Sequence, residues 1–283
     1  MSELNCTLQA LNLYPVKSCA GIAVPGSLLV ETGLEFDRSW MLVDDAGVFV
    51  TQREHPRLAL VQPTLRQHDL VLRAPGMLAL HLALDRVEAP LRVRVWDDPV
   101  PAWDMGALAA QWFSDFVGRP LRLARFDPQH RRPSDARWTG GVDAATAFAD
   151  GFALLVASTA SLAEVNRRLA LQGQPAVDMR RFRPNLVLEG LEAHDEDHVD
   201  RLEIDTGQGT VQLRLVKPCA RCSIPGVDPD SGVQGFAVVD ALAAYRADPR
   251  LNGAVTFGMN AIVVAGVDQR LAVGQSCRAH LDF

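Results

Sequence analysis

The stretch Trp40-Met41-Leu42-Val43-Asp44-Asp45-Ala46-Gly47-Val48-Phe49-Val50 sets two short apolar runs on either side of an Asp/Gly turn. Such runs around such a turn spell a β-hairpin. The same rhythm extends outward in both directions. Upstream, Leu8, Leu11 and Leu13 stand among polar residues before Pro15, and Ser27-Leu28-Leu29-Val30-Glu31 precedes a turn at Gly33. Downstream, residues 70–73, 78–84 and 91–96 repeat the pattern. Close-set turns with few helical runs predict a barrel-like or sandwich-like β unit.

One helix interrupts this rhythm. Between Gly106 and Gly118, residues Leu108, Trp112, Phe113 and Phe116 recur at helical spacing, and Gly118 with Pro120 supplies a stop. Residues 127–141 are rich in Pro, Arg, Asp and Gly, which marks a surface loop or connection. The second half opens with a buried strand at 152–157. A helix is expected to begin at Ser161, where Ser161 and Glu164 have capping-box spacing and Leu162, Val165 and Leu169 form the apolar stripe. A short helix is expected over 239–246, and strands over 185–188, 211–216 and 261–265. The expected organisation is a mainly β chain with some α (α+β). Its two domains are residues 1–125 and residues 126–283.

Length and charge agree. At roughly 150 residues per domain, 283 residues make about two domains. A net charge of −6 argues against a nucleic-acid binder, which needs surplus cations against phosphate. No apolar run approaches the ~18 residues of a membrane span, and the N-terminus has no signal-peptide pattern. Five cysteines spread over the chain fit a reducing compartment, so a cytoplasmic protein is expected.

The densest cluster of reactive side chains is Lys217-Pro218-Cys219-Ala220-Arg221-Cys222, just after the 211–216 strand. A C-x-x-C pair has several readings. Structural zinc needs four ligands, and no second pair or finger-spaced histidines accompany this one. A thioredoxin-like dithiol must open a helix, which Pro225, Gly226 and Pro229 oppose. A single thiolate ligand to a soft metal is a third reading, with Lys217 and Arg221 holding an anionic cofactor. Two small buried residues at a strand end is the fourth. Two further cation-rich spots are Lys17-Ser18 in a turn and Arg180-Arg181-Phe182-Arg183-Pro184-Asn185 at a strand start. Arg and Lys there suit phosphate or carboxylate, although each run alone also describes a solvated face. His194-Asp195-Glu196-Asp197-His198 reads as an exposed acidic loop, or as a metal pair at i, i+4. P-loop, dinucleotide and nucleophile-elbow motifs do not occur.

Three N-terminal stretches, 14–21, 33–43 and 51–58, resemble the N-terminal β-barrel domain of MOSC proteins. Residues 158–166, 181–187, 217–222 and 227–232 resemble the MOSC domain itself, in the same order and over nearly the whole chain. The architecture is similar to that of the mitochondrial amidoxime-reducing components and their bacterial counterparts. The resemblance implies a β-barrel-like first domain and a β-barrel second domain that binds a molybdenum cofactor. It implies that Cys222 is the protein ligand to molybdenum, with Cys219 a neighbour. It assigns cofactor contacts to Lys17, Ser18, Arg38, Ser158, Ser161, Arg183, Asn185, Ala220 and Arg221, where Ala220 can offer only its backbone.

The chemistry implied is reduction of N-hydroxylated compounds such as amidoximes and hydroxylamines, without pyridoxal phosphate. The metal centre would do the hard step while the protein orients substrate and excludes water. Asp228 is assigned to position the N–OH group or relay a proton. No plant-type ferredoxin spacing is present, so a separate electron donor is implied, a ferredoxin or a flavin reductase. Two other functions remain: a carrier of the cofactor or its sulfur without turnover, and a thiol redox protein using Cys219 and Cys222.

Overall fold

Seven strands close into a ring. Their order is Leu154–Ser158, Leu186–Glu189, Ser2–Leu13, Ser276–Leu281, Val199–Asp205, Thr210–Ala220 and Ala254–Ala265, and the last pairs back onto the first. The computed structural model describes residues 2–282. Every neighbouring pair is antiparallel except one: Leu154–Ser158 runs parallel to Leu186–Glu189, with Val156 facing Leu186. Parallel neighbours cannot be joined by a tight turn, and helix Thr159–Leu171 makes the crossover.

The first strand shows how the sequence suits the ring. Cys6 and Leu8 are buried, and then the alternation changes phase so that Leu11 and Leu13 are buried. The change coincides with a register shift between Leu8 and Ala10 against Leu186–Glu189. A bulge adds one residue and flips the following side chains to the other face. Leu8, Leu11, Val156, Leu188, Leu202, Leu213 and Ala261 meet in one core. The N-terminal strand is therefore a stave of the barrel built mostly from the second half. A second link ties the halves, because Gly26–Val30 pairs with Arg270–Ala272.

The remainder of the first half holds a four-stranded sheet ordered Trp40–Val43, Arg122–Phe126, Asp98–Asp104 and Ala89–Val95, and a three-stranded sheet of Gln62–Leu65, Asp69–Arg73 and Leu80–Ala83. The expected hairpin is present: Val50 N donates to Leu42 O, and Asp44 Oδ1 accepts from Ala46 N and Val48 N. Helix Ala107–Val117 buries Ala109, Trp112, Phe113 and Phe116 and ends at left-handed Gly118. Leu108, expected in its stripe, is exposed instead. It occupies the second helical position, at the margin of the face that Ala109, Trp112, Phe113 and Phe116 bury. The expectation of a mainly β chain with few helices holds. No helix among the described residues is long and apolar enough to cross a membrane.

The capping box at Ser161 and Glu164 is absent. The cap is Ser158, whose Oγ accepts from Ser161 N at 3.1 Å. Glu164 instead bonds Arg167 and Arg168 at 2.7 and 2.6 Å.

Candidate functional site

Both halves contribute to a cleft of about 380 Å3 near the end of strand Thr210–Ala220. The pairing of this strand with Ala254–Ala265 matches Pro218 with Met259 but Ala220 with Thr256. One extra residue is thus accommodated on the second strand, at Phe257-Gly258. Gly258 has φ 73°, and a Cβ there would lie 2.7 Å from Val156 O. Only glycine fits this bulge. Beyond it, Arg221 N donates to Val255 O at 2.8 Å, and the chain turns through Ile224–Gly226. Cys222 is therefore past the strand, exposed, and on the cleft.

Cys219 and Cys222 are both free thiols, and no helix begins at the pair. Among the described residues no cluster of three or more His, Cys, Asp or Glu could hold a metal ion. Arg221 donates to Cys219 Sγ at 3.1 Å and to Phe182 O at 2.9 Å. Its Nε is buried with no partner among the described residues. A buried unpaired donor is costly unless a ligand supplies the acceptor.

Lys17 enters from the first half. It is 7% exposed, and its Nζ donates to Phe148 O at 2.8 Å and to Asp150 Oδ1 at 2.5 Å. Burial pulls the Lys17 ammonium below its ordinary value, with Asp150 opposing. Partial desolvation at the cleft wall would raise the Asp150 carboxyl, but Lys17, backed by Arg53 and Arg38, overrides this and holds it at about 2. Asp150 is therefore ionised at neutral pH.

A second knot joins the halves around Tyr14. Its ring lies 4.4 Å from the Arg38 guanidinium and 4.3 Å from that of Arg183. Arg38 donates to Asp37, to Asn185 Oδ1 at 2.9 Å and to Arg183 O at 3.2 Å. Arg183 donates to Cys19 O at 2.6 Å. Burial, only partly offset by Tyr14, lowers Arg183 to about 10. The Tyr14 phenol is pushed up to about 12 by burial.

The charge balance of the cleft is one-sided. Lys17, Arg38, Arg53, Arg183, Lys217 and Arg221 line it against a single carboxylate, Asp150. Crowding like charges at low dielectric is unfavourable, and an anion relieves it. Strain gathers there too. Of the eight non-glycine residues with positive φ among those described, Ser18, Arg38, Trp96 and Arg183 line this cleft. Such backbone strain clusters at binding sites.

Lys17, Ser18, Arg38, Arg183, Asn185, Ala220, Arg221 and Cys222, all expected at the site, are brought together here. Ser158 and Ser161 are not. Both are fully buried, and their hydroxyls donate to Glu196 Oε2 at 3.0 and 2.8 Å. They serve the start of helix Thr159–Leu171, away from the cleft lining. The same contact corrects the reading of 194–198 as an exposed acidic loop, since Glu196 is completely buried. Asp228 also lies outside the cleft lining. Its Oδ2 accepts from Arg181 at 2.8 Å, and its Oδ1 accepts from Asp230 N, Ser231 N and Ser231 Oγ. Oδ1 is thus taken up by its own turn and Oδ2 is paired with Arg181.

Sequence reasoning missed Arg53, Asp150, Trp96 and Asn260 as lining residues. Arg53 lies in the 51–58 stretch, and nothing local marks the other three. Asp150 sits in a bland run, Ala147-Phe148-Ala149-Asp150-Gly151, and only the Lys17 contact reveals its role.

Residues 5–120 match the MOSC N-terminal beta barrel domain, and residues 143–278 match the MOSC domain. The chain is 34% identical to mitochondrial amidoxime-reducing component 1 of Homo sapiens over 250 residues, which is 85% of this chain and 72% of that protein. It is 30% identical to molybdenum cofactor sulfurase of Homo sapiens over 266 residues, which is 88% of this chain but only 29% of that one. A solution structure from Bordetella bronchiseptica is 34% identical and covers 35% of this chain and 85% of its own, with a TM-score of 0.29. The chain belongs to the MOSC family, carrying the MOSC N-terminal beta barrel domain ahead of the MOSC domain.

Proposed function

We propose that the cleft holds a molybdenum cofactor and that the protein reduces N-hydroxylated compounds, amidoximes and hydroxylamines among them, with electrons from a separate donor. The observation that carries this reading is the charge imbalance. Six cationic side chains line a cleft with a free thiol, against the lining carboxylate Asp150 and the buried Asp37 that pairs with Arg38, in a chain of net charge −6. A ligand that cancels the surplus is anionic, and a thiol among its contacts favours a soft metal. A pterin dithiolene with a phosphate tail, carrying molybdenum, is both. The unpaired Arg221 Nε gives such a group a donor that the protein itself leaves unused.

The side chains divide the work. Cys222 is the thiolate for the metal. Lys17, Arg183, Lys217 and Arg221 answer the anionic tail, with Arg suited to paired oxygens and Lys acting as a point charge. Ser18 offers a hydroxyl and Ala220 its backbone. Asn185 acts through Arg38, because its amide is already engaged. When bound, the cofactor supplies the two-electron, oxygen-accepting centre. Each cleavage follows R–NH–OH + 2e− + 2H+ → R–NH2 + H2O. Asp150, ionised and on the cleft, can accept a hydrogen bond from the N–OH group and orient it. The barrel wall of Leu154 and Leu155 limits water at that face. The electron donor is a ferredoxin or a flavin reductase, and five free thiols suit a reducing compartment such as the cytoplasm.

Similarity to molybdenum cofactor sulfurase favours a second reading, a carrier of cofactor or sulfur without turnover. The test is direct. Protein from a cofactor-competent host should carry near-equimolar molybdenum and reduce an amidoxime with an artificial donor. Loaded protein that is inert on every N-hydroxylated compound, yet passes cofactor to an apo-acceptor, would establish the carrier instead.

A further inference from the structure

Trp96 occupies a place where a tryptophan does not belong on backbone grounds. Val95 pairs with Asp98, so Trp96 and Asp97 form the two-residue tip of the hairpin between Ala89–Val95 and Asp98–Asp104. Its φ is 55°. Two-residue hairpin turns place glycine, asparagine or aspartate at such a position, and a bulky residue there is strained. Burial does not compensate, because the residue is 45% exposed.

The indole is nonetheless held in place. Phe49 meets it edge-on with ring centroids 4.9 Å apart, and the Arg53 guanidinium sits 4.6 Å over the ring. It lines the same cleft as Cys222 and Arg221. The hairpin therefore presents a braced, partly open aromatic surface at a site that is otherwise rich in cations.

We propose that Trp96 is a specificity-determining residue: its open surface stacks on a flat, conjugated substituent of the substrate, so that aryl amidoximes are taken in preference to alkyl ones. This rests on the cleft being the substrate site proposed above. A neutral flat group suits the position best. It gains contact with the indole, whereas a positively charged substituent is repelled by the surrounding cations.

The test uses molybdenum-loaded protein, isothermal titration with benzamidoxime and acetamidoxime, and turnover of both with an artificial donor. Trp96→Gly removes the ring and suits the turn, so it should melt no lower than the parent protein. Trp96→Phe keeps an aromatic face. Trp96→Gly is expected to weaken benzamidoxime about tenfold while acetamidoxime stays within about twofold, and Trp96→Phe to recover most of the loss. Equal weakening of both compounds, or of neither, overturns the inference, as does a parent protein that binds neither. Binding of benzamidoxime through Trp96 without reduction would support the platform and remove the proposed reaction. Reduction of both amidoximes with affinities indifferent to Trp96 would keep the reaction and remove the platform.

Discussion

Arg38 donates from Nη1 to Asn185 Oδ1 over 2.9 Å, joining a residue of the first half to one 147 positions later. The same Oδ1 accepts from Leu155 N at 3.1 Å, and Asn185 Nδ2 donates to Asn12 O at 3.2 Å. One buried amide thus holds a cleft arginine, two strands of the barrel and the start of a third.

Asn185→Ala should therefore destabilise the protein by about 3 kcal/mol, because it strands buried donors as well as deleting bonds. The urea midpoint measures this. Retained cofactor should fall with it, since Arg38 keeps only Asp37 and Arg183 O of its three partners. A change under about 1 kcal/mol would mean that water takes over the amide's role.

Gly258→Ala tests the bulge beneath the thiols. A methyl group at φ 73° and 2.7 Å from a carbonyl oxygen forces the backbone to move. The expected loss is about 2–4 kcal/mol, far beyond an ordinary surface substitution. Thermal melting reads it, and an unchanged melting temperature contradicts it.

The Lys17–Asp150 pair gives an acid-side signature. The Asp150 carboxyl falls from 3.8 to about 2 in the folded protein. A carboxyl held lower in the folded state stabilises it above about 4 and ceases to do so as the pH falls towards about 2. Lys17→Met should be less stable than the parent at neutral pH, and the gap should narrow over that window. Because the Asp150 side chain is 70% exposed, salt should narrow it too. A gap that is constant from pH 5 to 2 would deny the coupling.

Glu196 behaves in the opposite sense. Burial raises its carboxyl, and the Ser161 and Ser158 hydroxyls only partly oppose this. A raised value favours the protonated fold, so its contribution is complete below 4.5 and is lost as the pH climbs through the folded value. Glu196→Gln removes that loss. Its melting temperature should decline less than the parent's as the pH rises from 4 to 8, and parallel curves would refute the assignment.

Much of the fold is written locally. Short alternating runs and their turns mark most strands, and Gly118 marks the end of its helix. The cation clusters around Lys17, Arg183 and Arg221 are legible as runs of charge. What the chain does not disclose locally is pairing between distant segments. Nothing in Ser2–Leu13 says that it lies between Leu186–Glu189 and Ser276–Leu281. Ser158 and Ser161 are three apart, and where strand Leu154–Ser158 ends decides that the Ser158 hydroxyl caps the helix. An acidic run such as 194–198 looks solvated until its middle carboxyl meets two serine hydroxyls. Asp228 looks unengaged until its own turn takes Oδ1 and Arg181, 47 positions earlier, takes Oδ2.

The most direct measurement is molybdenum content in Cys222→Ser beside Cys219→Ser, both purified from a cofactor-competent host. Cys222→Ser is expected to lose the metal and amidoxime reduction together, while Cys219→Ser keeps both. Full molybdenum in Cys222→Ser, or equal loss in the two variants, would contradict this.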